Sequence, residues 1–484
     1  MGATLASDGS CALALFYIFT KKYSHSHASF YTFVVYIGRK RFKKLKTDMK
    51  KKVLFIVASI AVGSLMMQSC SSTDMVEKEE PKQLVNMTSE RQPIQLTQAQ
   101  RVFVVDNNSF TLKFLKTVNE ADQTGKSFVY SPLSITYVLG MVNDGAVGKT
   151  EQELEQTLGF HQGGIQAVND FCKKLIEGLP KVDKQVELDI ANAIFLNQKY
   201  TLKEQFQKDM LEYYGAKAEA LDFSSNSTLD YINGWCNDKT KGMIPKILDD
   251  LNGDMVSCLL NAIYFKADWT AKFDPQNTRN ESFDTGNGSA EVPMMHQDVL
   301  ISYMKNETYA AVKIPYGNGM WNMTVMLPEG GKTTDDVINY LASSDYNFCG
   351  TASAGVEPNM FMYYEVDLKI PRYETSSDTQ SGLIGLLKKM GINLAFDTNF
   401  AEIPNMADVP VYISMMRQKA KIKVSEEGSE AAAVTVAGMN YLSMGPATTP
   451  EFSKATFHAN RPFVYVIREA SSGVILFVGK FTGA

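Results

Sequence analysis

The stretch Lys421-Ile422-Lys423-Val424-Ser425-Glu426-Glu427-Gly428-Ser429-Glu430-Ala431-Ala432-Ala433-Val434-Thr435-Val436-Ala437-Gly438 carries two conformational preferences at once. Lys421 to Val424 alternates polar and apolar residues, as a half-buried strand does. Ser425 to Gly428 reads as a turn or hinge. Beyond it the Ala triplet can begin a helix, while Val434 to Val436 can continue a strand. A helix or linker and a continuing strand are both open. In a strand counted from Gly428, Ser429, Ala431, Ala433 and Thr435 share one face and Glu430 takes the other. The first set is small and uncharged, so burying it strands no charge.

The chain around this segment mixes both periods. Phe110, Phe114, Leu115 and Val118 fall on one helical face. Ala310 to Pro315 and Asn322 to Leu327 read as strands, with Gly317 to Gly319 between them. Gly382 to Met390 reads as a helix stopped by Gly391. Pro462 to Phe481 reads as a hairpin turning at Ser471-Ser472-Gly473. Helices and strands alternate irregularly, which predicts an α+β fold. No internal repeat appears, and no Pro/Gly/Ser-rich break divides the body before its last quarter.

The 484 residues are 45% hydrophobic and 21% charged, an ordinary globular composition. Charge is uneven. Residues 1–69 carry 11 Lys+Arg against 2 Asp+Glu, which leaves 37 basic and 51 acidic residues from Cys70 onward. A body at −14 is a poor nucleic-acid partner. Met49 opens a second apparent beginning: Lys50 to Lys52, a 15-residue apolar run from Val53 to Met67, then Gln68-Ser69-Cys70. The run is short for a membrane span, and its order is that of a secretory signal. Small residues ending at a Cys resemble a bacterial lipoprotein signal with Cys70 as the lipidated residue. A plain cleaved signal or an uncleaved anchor is the alternative. The expected organisation is an upstream extension and signal over 1–69, an anchored tether over 70–105, and one domain over 106–484.

Motifs for catalysis are weak. Gly148-Lys149-Thr150 lacks the Gly that a phosphate loop needs six residues before its Lys, where Asn143 stands. No Ser sits in a G-x-S-x-G elbow. His161, His296 and His458 are isolated in sequence and read as structural or surface residues. Glu426-Glu427-x-x-Glu430 reads as a solvated loop. Cys172, Cys236, Cys258 and Cys349 form no CxxC pair and read as buried free thiols; their disulfide state is left open. Neither a metal nor a cofactor is expected.

Glu426 to Ala433 resembles the hinge motif of the serpin family, inhibitors that trap a serine protease by inserting a loop into a sheet. Phe457-His458-Ala459-Asn460-Arg461-Pro462-Phe463-Val464-Tyr465-Val466-Ile467 is similar to that family's C-terminal signature. Phe128 to Ile135, Met141-x-x-x-Gly145-Ala146-x-Gly148-x-Thr150, Ile232-Asn233-x-Trp235 with Thr240 and Ile244, Asn261 to Lys266 with Trp269, Val292-x-Met294-Met295 and Ile370 to Tyr373 follow in family order. Three departures stand out. Gln418 replaces a His found in many members; an amide also donates and accepts, without the pH dependence. Ala267 replaces a frequent Gly, and the loop from the hinge to Asn460 is several residues longer than usual.

The resemblance implies three sheets ringed by helices, an exposed reactive-centre loop, and a sheet-opening region that includes Ser131, Asn261, Trp269 and Gln418. It implies a non-enzyme that forms a covalent complex with its target protease and acts as a monomer. The family's spacing places the reactive bond at Leu442-Ser443, with Tyr441 and Met444 as alternatives and Thr448 or Thr449 in reach of a longer loop. With no Lys or Arg between Lys423 and Lys454, a chymotrypsin-like or elastase-like target is expected, because a trypsin-like pocket needs a cation. Membrane contact is expected only through the Cys70 lipid, at a bacterial cell envelope; secretion is the alternative. The rival functions are a non-inhibitory serpin that carries or chaperones, an envelope solute-binding lipoprotein, and a hydrolase.

Overall fold

Helix α1 (Gln98–Ala121) starts where Thr97 and Gln100 cap one another. The Thr97 hydroxyl accepts from the Gln100 amide, and the Gln100 side chain accepts from the Thr97 amide. Its Phe110, Phe114, Leu115 and Val118 are buried, as their spacing predicts. The computed structural model describes residues 90–161, 163–343, 361–379, 382–429 and 452–483. The packed body begins earlier than the expected tether boundary at 105. Ile94 and Leu96 are buried, and the Gln92 amide donates to the Val182 carbonyl. Two isolated apolar residues in a polar stretch gave no period to read.

Helix α2 (Pro132–Gly145) is buried along its whole length, with Pro in its first turn. Helix α3 (Gly148–Leu158) begins at the Gly-Lys-Thr run. There the Glu402 carboxylate accepts from the Lys149 amide at 2.8 Å. Gly148 has φ of +62°, and a Cβ there would meet Glu402 Oε2 at 2.6 Å. The helix N-terminus is thus filled by a carboxylate of the same chain.

Among the described residues one sheet has nine strands: β1 (Phe128–Tyr130), β5 (Arg279–Asp284), β6 (Ser289–Lys305), β7 (Tyr309–Tyr316), β8 (Trp321–Pro328), β9 (Met362–Pro371), β13 (Lys454–His458), β14 (Phe463–Glu469) and β15 (Ile475–Phe481). Their order is β1-β15-β14-β8-β7-β6-β9-β13, with β5 on β6. The 17-residue β6 pairs β5, β9 and β7 along successive parts of its length. Two of the three expected sheets are therefore continuous through one long strand, which alternation in sequence does not reveal.

The other sheet has order β10-β11-β4-β2-β3. Its strands are β2 (Glu187–Asn197), β3 (Lys217–Leu221), β4 (Ser257–Asp268), β10 (Tyr373–Asp378) and β11 (Met415–Val424), and β12 (Gly428–Ser429) adds to β4. Its inner face packs on the main core through Leu259, Ile263, Phe265 and Ala267. Its outer face buries Leu260 and Ala262 against Ile232 and Cys236 of α6 (Asn226–Lys239). Between them α4 (Gly164–Gly178) and α5 (Glu204–Tyr214) pack beside α2, while α7 (Thr334–Ala342) and α8 (Gly382–Lys389) border α1.

Candidate functional site

Strands β4 and β11 are parallel neighbours for only four residues. Met415 to Gln418 pair with Cys258 to Asn261. Beyond that point β11 pairs only β10, from Lys419 to Val424, and β4 pairs β2, up to Lys266. Among the described residues the facing edges of β4 and β11 share no ladder above Asn261 and Gln418. A parallel pair has no tight turn to hold it and is slightly weaker per residue than an antiparallel one. The sheet is therefore split along its middle.

The segment expected to be the hinge sits at the open end of this split. Ser425 and Gly428 exchange backbone hydrogen bonds, Ser425 N to Gly428 O at 2.8 Å and Gly428 N to Ser425 O at 3.2 Å, which closes a tight turn over Glu426 and Glu427. The chain then reverses, and Gly428 and Ser429 pair antiparallel with Asp268 and Ala267. Position 428 requires glycine. Its φ is +141°, and a Cβ would fall 2.2 Å from the Ala267 carbonyl oxygen. In this register position 429 stands opposite Ala267, a residue of the main core. The backbone of Gly428 and Ser429 is thus already in the sheet.

Local contacts hold the turn. Trp269 stacks on Tyr316 with ring centroids 4.2 Å apart, and its Nε1 donates to the Ser425 carbonyl at 2.8 Å. The Trp269 amide donates to Glu427 O and the Phe273 amide to Glu426 O. Glu426 is only 6% exposed, not a solvated loop residue. Its Oε1 accepts from the Thr278 hydroxyl at 2.7 Å and lies 3.3 Å from Arg372 Nη1, which repay its desolvation. Lys272 bridges Glu427 and Asp268. Nothing in the sequence marks Lys272, Thr278 or Tyr316 for this role; they lie more than a hundred residues from Ser425 and form no motif with it.

At the closed end of the split lies a row of amides. Gln418 is buried, and its side chain satisfies both backbone groups of Ser131: Oε1 accepts from Ser131 N at 3.1 Å, and Nε2 donates to Ser131 O at 2.8 Å. The bond expected of an amide in place of a His is present. The Gln418 backbone is held by Thr379, and the Ser131 hydroxyl lies 3.0 Å from that of Ser134. Next to Gln418 in register, Asn261 donates through Nδ2 to Asn192 Oδ1 at 2.7 Å. Asn261 Oδ1 is buried without a donor. The four residues expected around the sheet opening are thus divided: Ser131, Gln418 and Asn261 lie at the closed end, Trp269 at the open end.

Burial pushes the thiols of Cys172, Cys236 and Cys258 up to about 12, so none is a ready nucleophile. His161 is exposed. His296 and His458, isolated in sequence, meet at one carboxylate, Asp367. Glu430, Ala431, Ala432, Ala433, Tyr441, Leu442, Ser443, Met444, Cys70 and Cys349 lie outside the described residues.

A family model described as Serpin (serine protease inhibitor) matches residues 105–483. An uncharacterized serpin-like protein of Thermococcus kodakarensis is 31% identical over 381 residues, spanning 77% of this chain and 84% of that protein. Human serpin B11 is 29% identical over 402 residues, spanning 77% of this chain and 97% of its own length. Human thyroxine-binding globulin, solved with thyroxine, superposes with a TM-score of 0.68 at 26% identity, over 80% of this chain and 99% of that one. A family match over residues 105–483, with a relative 31% identical across most of both chains, makes this chain a member of the serpin family.

Proposed function

We propose that the chain is a suicide-substrate inhibitor of a chymotrypsin-like or elastase-like serine protease, cleaved at Leu442-Ser443. The observation that carries this reading is the hinge paired at the mouth of the split. Extending the Gly428–Asp268 register down β4 sets Ala431, Ala433 and Thr435 opposite Phe265, Ile263 and Asn261, on the inner face. Each is small enough to enter a packed core. On the outer face Glu430 arrives opposite Lys266, a cation. Val434 and Val436 arrive opposite Ala262 and Leu260, where α6 covers the sheet with apolar residues. Charge thus falls where the face is open and apolar residues where it is covered. Thr435 brings a hydroxyl to Asn261, whose Oδ1 lacks a donor.

The target's serine attacks the Leu442 carbonyl, and the amine of Ser443 leaves. The freed segment from Gly428 to Leu442 spans about 50 Å at about 3.3 Å per residue. Its insertion drags the acylated protease along the body, and the acyl bond survives because the protease's oxyanion hole and triad are pulled out of register. No catalytic group of this chain takes part. Mass spectrometry after reaction with chymotrypsin is expected to find a released peptide that begins at Ser443. A peptide beginning at Ala455 would mean cleavage after Lys454, and would overturn both the register and the target class.

We further propose that Cys70 is lipidated and anchors the inhibitor at a bacterial envelope, on the strength of the basic, apolar and small-residue order before it. Incorporation of a labelled fatty-acid precursor is expected in the parent and absent in Cys70→Ala. Equal labelling of both would remove the anchor and leave inhibition untouched.

A further inference from the structure

The free end of the nine-stranded sheet gathers titratable side chains that inhibition does not use. β6, β9 and β13 lie side by side. His296 and His458 both pair in register with Lys369, and Asp298 pairs with Asp367. All five therefore share one sheet face. His296 Nε2 is 2.9 Å from Asp367 Oδ1, and His458 Nε2 is 3.0 Å from Asp367 Oδ2. The His458 nitrogen is buried and finds no well-aligned hydrogen bond despite that contact. Ligand atoms of His296, Asp298 and Asp367 lie within 4.8 Å of one another. Lys369, which shares this face, is held by Glu281 with Nζ 2.8 Å from Oε1.

Two carboxylates placed directly opposite on neighbouring strands repel. A cation between them removes that repulsion, and a flanking imidazole selects its class. We propose that His296, Asp298 and Asp367 bind a zinc-class divalent ion, with His458 steadying the outer oxygen of Asp367. Imidazole with carboxylates suits zinc, and bonds of about 2.0–2.2 Å put tetrahedral ligand atoms about 3.4 Å apart, within the compass of this cluster. His458 is a positioning residue in this arrangement, since it acts through Asp367.

The ion ties β13 to the sheet. β13 is an edge strand bonded to β9 alone among the described strands, and it begins three residues after the undescribed 430–451 segment. A metal-held Asp367 gripping His458 adds a cross-strand fastening near the last residue of that strand. The ligands come from strands about 70 residues apart in sequence, 298 against 367, so no spacing motif announces them.

The full chain, stripped with a chelator and titrated with zinc chloride, is expected to bind one more equivalent of zinc than Asp298→Asn, a change at an exposed side chain. His25 and His27 are present in both and cancel. Bound zinc is expected to raise the melting temperature of the parent but not of Asp298→Asn or His296→Gln. His458→Ala is expected to bind zinc about 10- to 100-fold more weakly. At saturating zinc, amide exchange over Lys454 to His458 slows in the parent and not in His458→Ala. Equal zinc uptake by the parent and Asp298→Asn would overturn the site. Equal slowing of exchange in the parent and His458→Ala would overturn the fastening.

Discussion

Ser429→Arg is expected to turn the protein from an inhibitor into a substrate. Position 429 pairs with Ala267, a core residue only 1% exposed. A guanidinium there would be buried with no acid opposite it. An unpaired buried charge costs several kcal/mol even after relaxation. The chain can avoid that cost by leaving the Gly428–Ser429 pairing, which is two residues long. The fold therefore survives, and insertion meets the barrier instead. Each 1.4 kcal/mol added to that barrier slows insertion about tenfold. The protease then hydrolyses its acyl bond first. The variant should be cut at the same bond as the parent, with its SDS-stable complex reduced more than about tenfold. Ser429→Ala, which keeps a small uncharged side chain, should inhibit like the parent. Parental stoichiometry from the Arg variant would exclude insertion through this hinge.

Gln418→Leu should have the next largest effect, on the intact form. The amide of Gln418 bonds both backbone groups of Ser131, and both residues are buried. Leucine has similar volume but strands one N–H and one C=O. At about 1–3 kcal/mol for each unsatisfied group, the loss is about 2–6 kcal/mol. The lost contact fastens β11 to the start of α2 beside the last paired residues of β4 and β11. Intact protein should melt at lower temperature and lose inhibitory capacity faster on storage. Gln418→His should restore part of the stability at neutral pH, where imidazole can both donate and accept. A buried His resists protonation, so its folded pKa falls below the ordinary value near 6.5. That contribution is present above pH 6.5 and is lost as pH falls through the lowered pKa. A parental melting temperature in Gln418→Leu would mean that Ser131 finds other partners.

Local chemistry explains which features were legible in the sequence. The β7–β8 pair, α8 and the terminal hairpin of β14 and β15 each carry their own period and turn residues, so they stand where the pattern puts them. The turn from Ser425 to Gly428 was legible because an alternating strand stops there at a glycine. Its support was not. Lys272, Thr278 and Arg372 reach Glu426 and Glu427 from other strands and loops, and nothing local marks them. Glu426 was misread as solvated for the same reason, since a buried carboxylate looks like any other until its partners are placed. The Asp367 cluster and the continuity of two sheets through β6 likewise depend on strand order, which alternation does not encode.

The most direct test is denaturing electrophoresis of the intact chain after incubation with chymotrypsin. The proposed mechanism predicts a band resistant to SDS, at the summed mass of the protease and the chain shortened at Leu442. That band should appear together with cleaved chain that melts at a higher temperature than the intact form. Cleavage at Leu442 with no such band, and with no gain in melting temperature, would contradict loop insertion and leave a serpin fold that serves another purpose.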